Sequence, residues 1–293
     1  MTVSEKFKAF NQNIRISSDN VSKISDRYKR ITKKLNREFW GTDSETSHSL
    51  YVGSYGRDTD IHVSDVDILF QFPYSIYEKY NSYSGNGQSA LLQEVKDYIK
   101  EIYPKSPHIK GDGQVIGVNW DDGICFEIVP CFINKDNSYT YPDSNNGGSW
   151  KTTNPKPEIE EIREKNKAWN YNLKELCRMA RAWKDEWSVP MGGLLIDTLS
   201  YNFLKNWSYR DKAYAYHHWM VRDFFEYLKN QKADQDYWLA VGSNQYICRK
   251  GKFEYKALQC YNISLEAIEY EQQQMPYSAN LKWKEIFGSK FNS

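Results

Sequence analysis

Two aspartates, Asp65 and Asp67, stand two residues apart in the run DVDILFQF. The run alternates, with Asp65, Asp67, Leu69 and Gln71 on one side and Val66, Ile68, Phe70 and Phe72 on the other, which is the period of a β-strand buried on one side. Both carboxylates then project from one face, about 6–7 Å apart along the strand. Like charges that close repel, and one acid resists ionising unless a cation sits between them. Hard oxygen ligands at this spacing suit Mg²⁺, which keeps waters and also binds substrate phosphates. Asp-x-Asp alone carries little, because a turn-flanking pair is the simpler account of most such pairs. Two further features raise it. Gly53-Ser54 follows the short apolar strand of HSLYVGSYG and precedes the aspartate strand. A glycine there lets backbone N–H groups approach a phosphate, and the serine hydroxyl adds a donor. Glu127 stands in the otherwise apolar run ICFEIVPCF. A lone carboxylate in that setting costs several kcal/mol unless paired or metal-bound, so an ion pair and a metal ligand both account for it.

The elements around these acids follow from periodicity. Val21, Ile24, Tyr28, Ile31, Leu35 and Phe39 recur at three- and four-residue steps and predict an amphipathic helix. Its other face carries Arg27, Lys29, Arg30, Lys33, Lys34 and Arg37, either a solvated basic face or a patch facing phosphate. Pro73 ends the aspartate strand, and a helix is expected over roughly 89–102, with Leu91, Val95, Tyr98, Ile99 and Ile102 on one stripe. VIGVNW and ICFEIVPCF flank Asp121-Asp122-Gly123, a hairpin signal that puts Cys125, Glu127 and Val129 on one face. Residues 134–157 are polar, with NNGGSW and TNPKP, and read as a connection between lobes. Beyond it, Trp169, Leu173, Leu176, Ala180, Trp183 and Trp187 keep a four-three rhythm that predicts one long helix, broken by Gly192-Gly193. On that helix Arg178, Arg181 and Lys184 lie three apart, away from the apolar stripe, either paired with Asp185 or Glu175 or facing phosphate. GLLIDTLSYNFL opens another helix, and His218, Val221, Phe225 and Leu228 suggest a third. The apolar WKEIFG near the end is expected to dock rather than dangle.

The 293 residues carry 39 Lys+Arg against 38 Asp+Glu, a net charge of +1. This length supports one large domain or two apposed lobes with a core that needs no disulfide or metal staple. Aromatics make up 16%, too much for a disordered chain. The charge balance argues against strong binding of duplex nucleic acid, which draws on excess Lys and Arg, and leaves room for a local anion pocket. MTVSEKFKAF lacks the apolar core of a secretory signal, and no stretch approaches the roughly 18 apolar residues of a membrane span. The five cysteines show no CxxC spacing, and the five histidines form no cluster with them, so reduced thiols, no zinc and a cytoplasmic location are expected.

Taken in order, YVGSYGRDTDIHVSDVDILF, FEIVP, GGSWKTTNP, LCRMARAWK and GGLLIDTLSYNFL resemble the polymerase-β-like nucleotidyltransferase superfamily. More narrowly they are similar to the bacterial CD-NTases, SMODS-type second-messenger synthetases related to cyclic GMP–AMP synthase. The resemblance runs over roughly residues 5–205 and covers the last third loosely. It implies an α+β, two-lobed fold: a catalytic core with an N-terminal helix over 1–150, whose mixed sheet carries the carboxylates, and a helical lobe over 151–293 that closes the nucleotide pocket. It implies that Asp65, Asp67 and Glu127 are catalytic and hold two Mg²⁺ ions, or Mn²⁺, although many relatives have Asp where Glu127 stands. Gly53 and Ser54 would cradle the leaving pyrophosphate, and Arg57 and Thr59 would order that loop or meet phosphate. Arg181 resembles a basic residue that contacts the triphosphate, with Arg178 and Lys184 beside it. Lys151, Thr153 and Asn154 resemble a stretch that touches nucleobases, though an Asn before Pro155 is equally well explained by a turn.

The activity so implied is template-independent condensation of NTPs into a cyclic di- or trinucleotide second messenger, with release of pyrophosphate. The enzyme would act as a monomer in CBASS anti-phage signalling and activate a separate, unjoined effector. RNA or tRNA tailing, linear oligonucleotide synthesis and nucleotide transfer to another acceptor use the same site. A nucleotide-binding module with a dead site is the non-enzymatic alternative.

Overall fold

The computed structural model describes residues 2–63, 65–105 and 107–291. Two compact units divide the chain: Ile16–Gly56 with His62–Lys156, and Met1–Arg15 with Arg57–Ile61 and Pro157–Ser293. The first is built on a sheet and the second on helices. The division falls after Lys156; α1 (Val3–Asn13) and the short stretch Arg57–Ile61 belong to the helical unit.

In the sheet unit, α2 (Ser18–Trp40) buries the expected stripe at Ile24, Tyr28, Ile31 and Leu35, and Gly41 ends it in the left-handed conformation. Val21 departs from the stripe and is exposed, because it lies in the first turn, before the core begins. The basic face is largely paired: Arg27 forms a two-bond fork with Asp122, Lys34 reaches Glu38 and Glu101, and Arg30 donates to the Ile102 carbonyl. Then follow β1 (Ser49–Tyr51), α3 (Gly53–Arg57), β2 (Val66–Gln71), α4 (Tyr74–Asn81), α5 (Gly87–Ile102), β3 (His108–Asp112), β4 (Val115–Asn119) and β5 (Cys125–Ile133). The sheet order is β1-β2-β5-β4-β3, with β2 and β5 parallel and the other pairs antiparallel. Its apolar face, with Val66, Ile68, Phe70, Phe126 and Ile128, shares one core with Leu91, Leu92, Val95 and Ile99 of α5. The hairpin at Asp121-Asp122-Gly123 forms as expected, pairing Asn119 with Cys125.

Residues 134–157 are not a plain connection. They form β6 (Tyr139–Asp143) and β7 (Ser149–Thr153), a hairpin that pairs with the end of β5 through Phe132 and Thr140. Turn backbone is confined to 134–138 and NNGG; Tyr139 is buried, and polar Thr and Ser side chains tolerate the solvent side of the ladder.

The helical unit continues with α6 (Pro155–Ala168), α7 (Asn172–Glu186), α8 (Gly193–Asn206), α9 (His217–Lys229), a small β8 (Tyr237–Leu239) and β9 (Tyr246–Cys248) hairpin, α10 (Glu254–Gln272) and α11 (Pro276–Phe287). The single helix expected from Trp169 to Trp187 is corrected: Asn170 and Tyr171 take φ of 51° and 65°, so the chain turns and α7 starts at Asn172. Trp169 still packs in the same core as Leu173 and Trp183, so its spacing mimics one continuous stripe. The WKEIFG segment docks through Trp283, Ile286 and Phe287. Among the described residues no helix is long and apolar enough to cross a membrane.

Candidate active site

Asp67 and Glu127 are direct partners across the parallel pair of β2 and β5. Paired residues on neighbouring strands point to the same face, about 4.8 Å apart in backbone spacing. Asp65 precedes β2 by one residue and shares the parity of Asp67, so all three acids belong to the face opposite the apolar core. Their direction is set by Val66, Ile68, Phe126 and Ile128, all buried; slipping either strand by one residue would drive the acids into that core. On the other side of Glu127 its partner in β4 is Gly117, which puts no side chain against it. The Cys125 thiol, on the same face, is pushed up by burial first and then by the negative charges of Asp65, Asp122 and Glu127. Farther along, Leu69 is buried beside a cavity of about 160 Å³ lined also by Cys131 and Tyr139.

Gly53 binds the preceding turn to this acid set. Its φ is +61°, and a Cβ at that position would come within 1.8 Å of Asp67 Oδ2. Only glycine meets both demands. The Val52 N–H donates to the Asp67 carbonyl at 2.9 Å, so β1 delivers the turn onto the strand, and α3 opens at Gly53 with Ser54 as its second residue. The donor set is hard oxygen throughout. Among the described residues no three His, Cys, Asp or Glu side chains converge tightly enough to enclose an ion unaided. Mg²⁺ takes oxygen donors of this kind, usually one or two carboxylates with water and substrate phosphate completing its octahedron.

The stretch expected to touch bases lies on and after β7. Lys151 is exposed and paired with Asp143. Thr153 is half-buried opposite Tyr139, and Asn154, also half-buried, leads into Pro155 at the start of α6.

The basic residues of the helical unit are placed differently from a solvent-facing phosphate clamp. Arg57 is 5% exposed and Arg181 7%, and both converge on Asp197, which is 0% exposed. Arg57 Nε donates to Asp197 Oδ2 at 2.8 Å and its Nη1 to Glu158 Oε2 at 3.3 Å. Arg181 grips both Asp197 oxygens, at 2.5 and 2.9 Å, and also donates to the Gly193 carbonyl at 3.1 Å. Thr59 donates its hydroxyl to Asp197 at 3.0 Å. Burial alone would raise the Asp197 pKa, but the Arg181 and Arg57 guanidiniums hold it at about 2. Glu158 goes the other way, raised by burial against the pull of Arg57. Nearby, burial pushes Asp60 up to about 6, partly opposed by Arg178. Arg178 pairs with Asp58 at 2.5 Å rather than with Glu175, and Lys184 lies 3.6 Å from Asp185. Asp197 and Glu158 were missed in the sequence. The signal for Asp197 was present, an acid in the apolar run GLLIDTLSYNFL, the same signal that singled out Glu127.

A family model described as the Second Messenger Oligonucleotide or Dinucleotide Synthetase domain matches residues 1–166. A relative from Bacillus cereus, described as a probable cyclic nucleotide synthase, is 29% identical over 215 residues, covering 69% of this chain and 63% of that protein. The chain therefore spans somewhat less than two thirds of that relative's length. Of solved structures, Escherichia coli MS115-1 CdnC, in its complex with HORMA-deltaN, superposes with a TM-score of 0.70 at 14% identity, over 99% of this chain and 98% of that one. The Bradyrhizobium diazoefficiens CD-NTase CdnG, solved with GTP, gives 0.68 at 10% identity over 99% and 96%. At these identities the likeness is one of fold.

Proposed function

Because the chain belongs to the Second Messenger Oligonucleotide or Dinucleotide Synthetase domain family, we propose that it joins nucleoside triphosphates, without a template, into a cyclic di- or trinucleotide and releases pyrophosphate. The observation that carries this reading is the registered pair of Asp67 and Glu127 with Gly53 pressed against Asp67. A phosphate-approaching turn and a hard-cation donor set thereby share one open sheet face. The relatives add support: the Bacillus cereus protein is described as a cyclic nucleotide synthase, and CdnC and CdnG were solved with ATP and GTP respectively.

In this reading Asp65, Asp67 and Glu127 hold two divalent ions, Mg²⁺ or Mn²⁺. When bound, such ions neutralise phosphate charge and make an acceptor hydroxyl easier to ionise. Ser54 donates its hydroxyl to the departing pyrophosphate, and Gly53 lets the backbone approach it. Lys151 already serves Asp143, so Thr153 and Asn154 are the base contacts, Asn154 offering both a donor and an acceptor to a base edge. Arg57 and Arg181 are positioning residues: their buried pairing with Asp197 anchors the loop that leads from α3 towards β2. The messenger would act in the cytoplasm, in anti-phage signalling of the CBASS type, through a separate effector.

The test is incubation of the purified chain with all four labelled NTPs and Mg²⁺ or Mn²⁺, followed by phosphatase and product separation. A phosphatase-resistant small product that vanishes in Asp67→Ala supports the proposal. Label found only on added RNA or protein contradicts it, and bound triphosphate without any product identifies a non-catalytic binding module.

A further inference from the structure

We propose that the helical unit carries an anion site of its own, a basic cavity that takes a phosphate-bearing small molecule. The cavity measures about 370 Å³ and is formed by α6, the turn at Tyr171, the first turns of α7, Arg15 and Asp58. That volume suits a small ligand and not a macromolecular strand.

Arg178 makes it a site. Its side chain is 2% exposed and lines the cavity. Nη2 is engaged, donating to the Asp58 carbonyl at 2.6 Å and to Asp58 Oδ1 at 2.5 Å. Nη1 is fully buried and has no hydrogen-bond partner among the described residues. A buried charged donor left unpaired is rare and costly, and an anion held in the cavity would offset the charge of this guanidinium. The guanidinium is held in a fixed orientation by Asp58, so it presents a preorganised fork edge rather than a flexible charge.

The surrounding charge agrees. Arg163 and Lys167 of α6 are exposed at the rim and form no ion pair among the described residues, and the exposed Arg15 acts on Glu175 from a distance. Lys174 shares Asp58 at 3.0 Å. The second acid, Glu175, accepts a hydrogen bond from the Tyr214 hydroxyl at 2.5 Å, and burial raises its pKa against the pull of that bond and of Arg15 and Arg178, which weakens it as a competitor for the cavity's cations. Tyr171 holds its exposed ring at the mouth with φ of +65°, a conformation that bulky residues rarely adopt and that clusters at ligand sites. All of these residues belong to the helical unit, so the inference does not depend on the proposed synthase reaction.

Inorganic pyrophosphate is titrated calorimetrically into the full chain in EDTA, for wild type, Arg163→Ala/Lys167→Ala and Asp65→Asn/Asp67→Asn. The rim variant changes two exposed side chains, and unchanged circular dichroism and melting confirm its fold. The expected result is metal-free binding that weakens at least about tenfold in the rim variant and stays within about threefold of wild type in the aspartate variant. Absence of binding at millimolar pyrophosphate overturns the proposal. So does binding that the rim variant retains, or that the aspartate variant loses equally. Loss of synthase activity with this binding pattern intact would sink the proposed function alone.

Discussion

Asp197 and Glu127 are both acids set into apolar runs, one on helix α8 and the other on strand β5, yet their surroundings differ. Asp197 has no solvent exposure and is held ionised, at a pKa of about 2, by two buried guanidiniums and a hydroxyl. Glu127 is exposed, stands beside Asp67, and has no ion pair among the described residues. The buried acid draws its counter-charge from its own chain, as a structural group must. Glu127 instead has a second acid, the half-buried Asp67, in register beside it on the neighbouring strand. One acid is thus enclosed by basic groups and the other is set beside a second acid, and that contrast separates Arg57 and Arg181 from the residues proposed to do the chemistry.

The contrast is open to direct attack. Asp197→Ala leaves the buried Arg181 guanidinium without a carboxylate and Arg57 with Glu158 alone, and should cost about 3–5 kcal/mol in urea unfolding, whereas Glu127→Ala should change stability by no more than about 0.5 kcal/mol. Equal costs would erase the distinction. Gly53→Ala should cost about 1–2 kcal/mol for the left-handed backbone and, by displacing the Asp67 carboxylate, lower product formation about a hundredfold; a variant active at the wild-type rate would show that the close approach of Gly53 to Asp67 does not matter.

Asp60 gives a smaller, pH-resolved test. Its folded pKa of about 6 lies above its ordinary value of 3.8, so the folded state keeps the proton that the unfolded chain releases. Its contribution to stability is then fully present below the ordinary value and is lost as pH rises through about 6. Asp60→Asn cannot ionise, and should gain about 2 kcal/mol over wild type at pH 8 while matching it near pH 3. Thermal melts across that range would show the two curves converging on the acid side; a constant offset would mean that ionisation is not the cause.

Much of the sheet unit was legible. The stripes of α2 and α5 and the alternation of β2 and β5 are local periodicities, and the parity of Asp65, Asp67 and Glu127 follows from them. Gly53 was visible as a turn, but its clash distance to Asp67 depends on strand pairing. The β6–β7 hairpin was hidden because its ladder partners, such as Phe132 for Thr140, lie outside the window in which its polar residues look like loop. The break between α6 and α7 was masked by Trp169, which fills the core in step with Leu173 without being on the same helix. Arg57 reads as a phosphate contact in isolation. Its partner Asp197 lies 140 residues away, and no local pattern joins them.

The central claim is that the open carboxylate face does the chemistry. It is tested most directly by Asp67→Asn, with pyrophosphate release and melting measured on the same preparation. The account predicts a rate at least about a thousandfold lower from a protein that still melts cooperatively, since the carboxylate is replaced by an amide of the same shape. Release within about tenfold of wild type from a folded Asp67→Asn protein would contradict it.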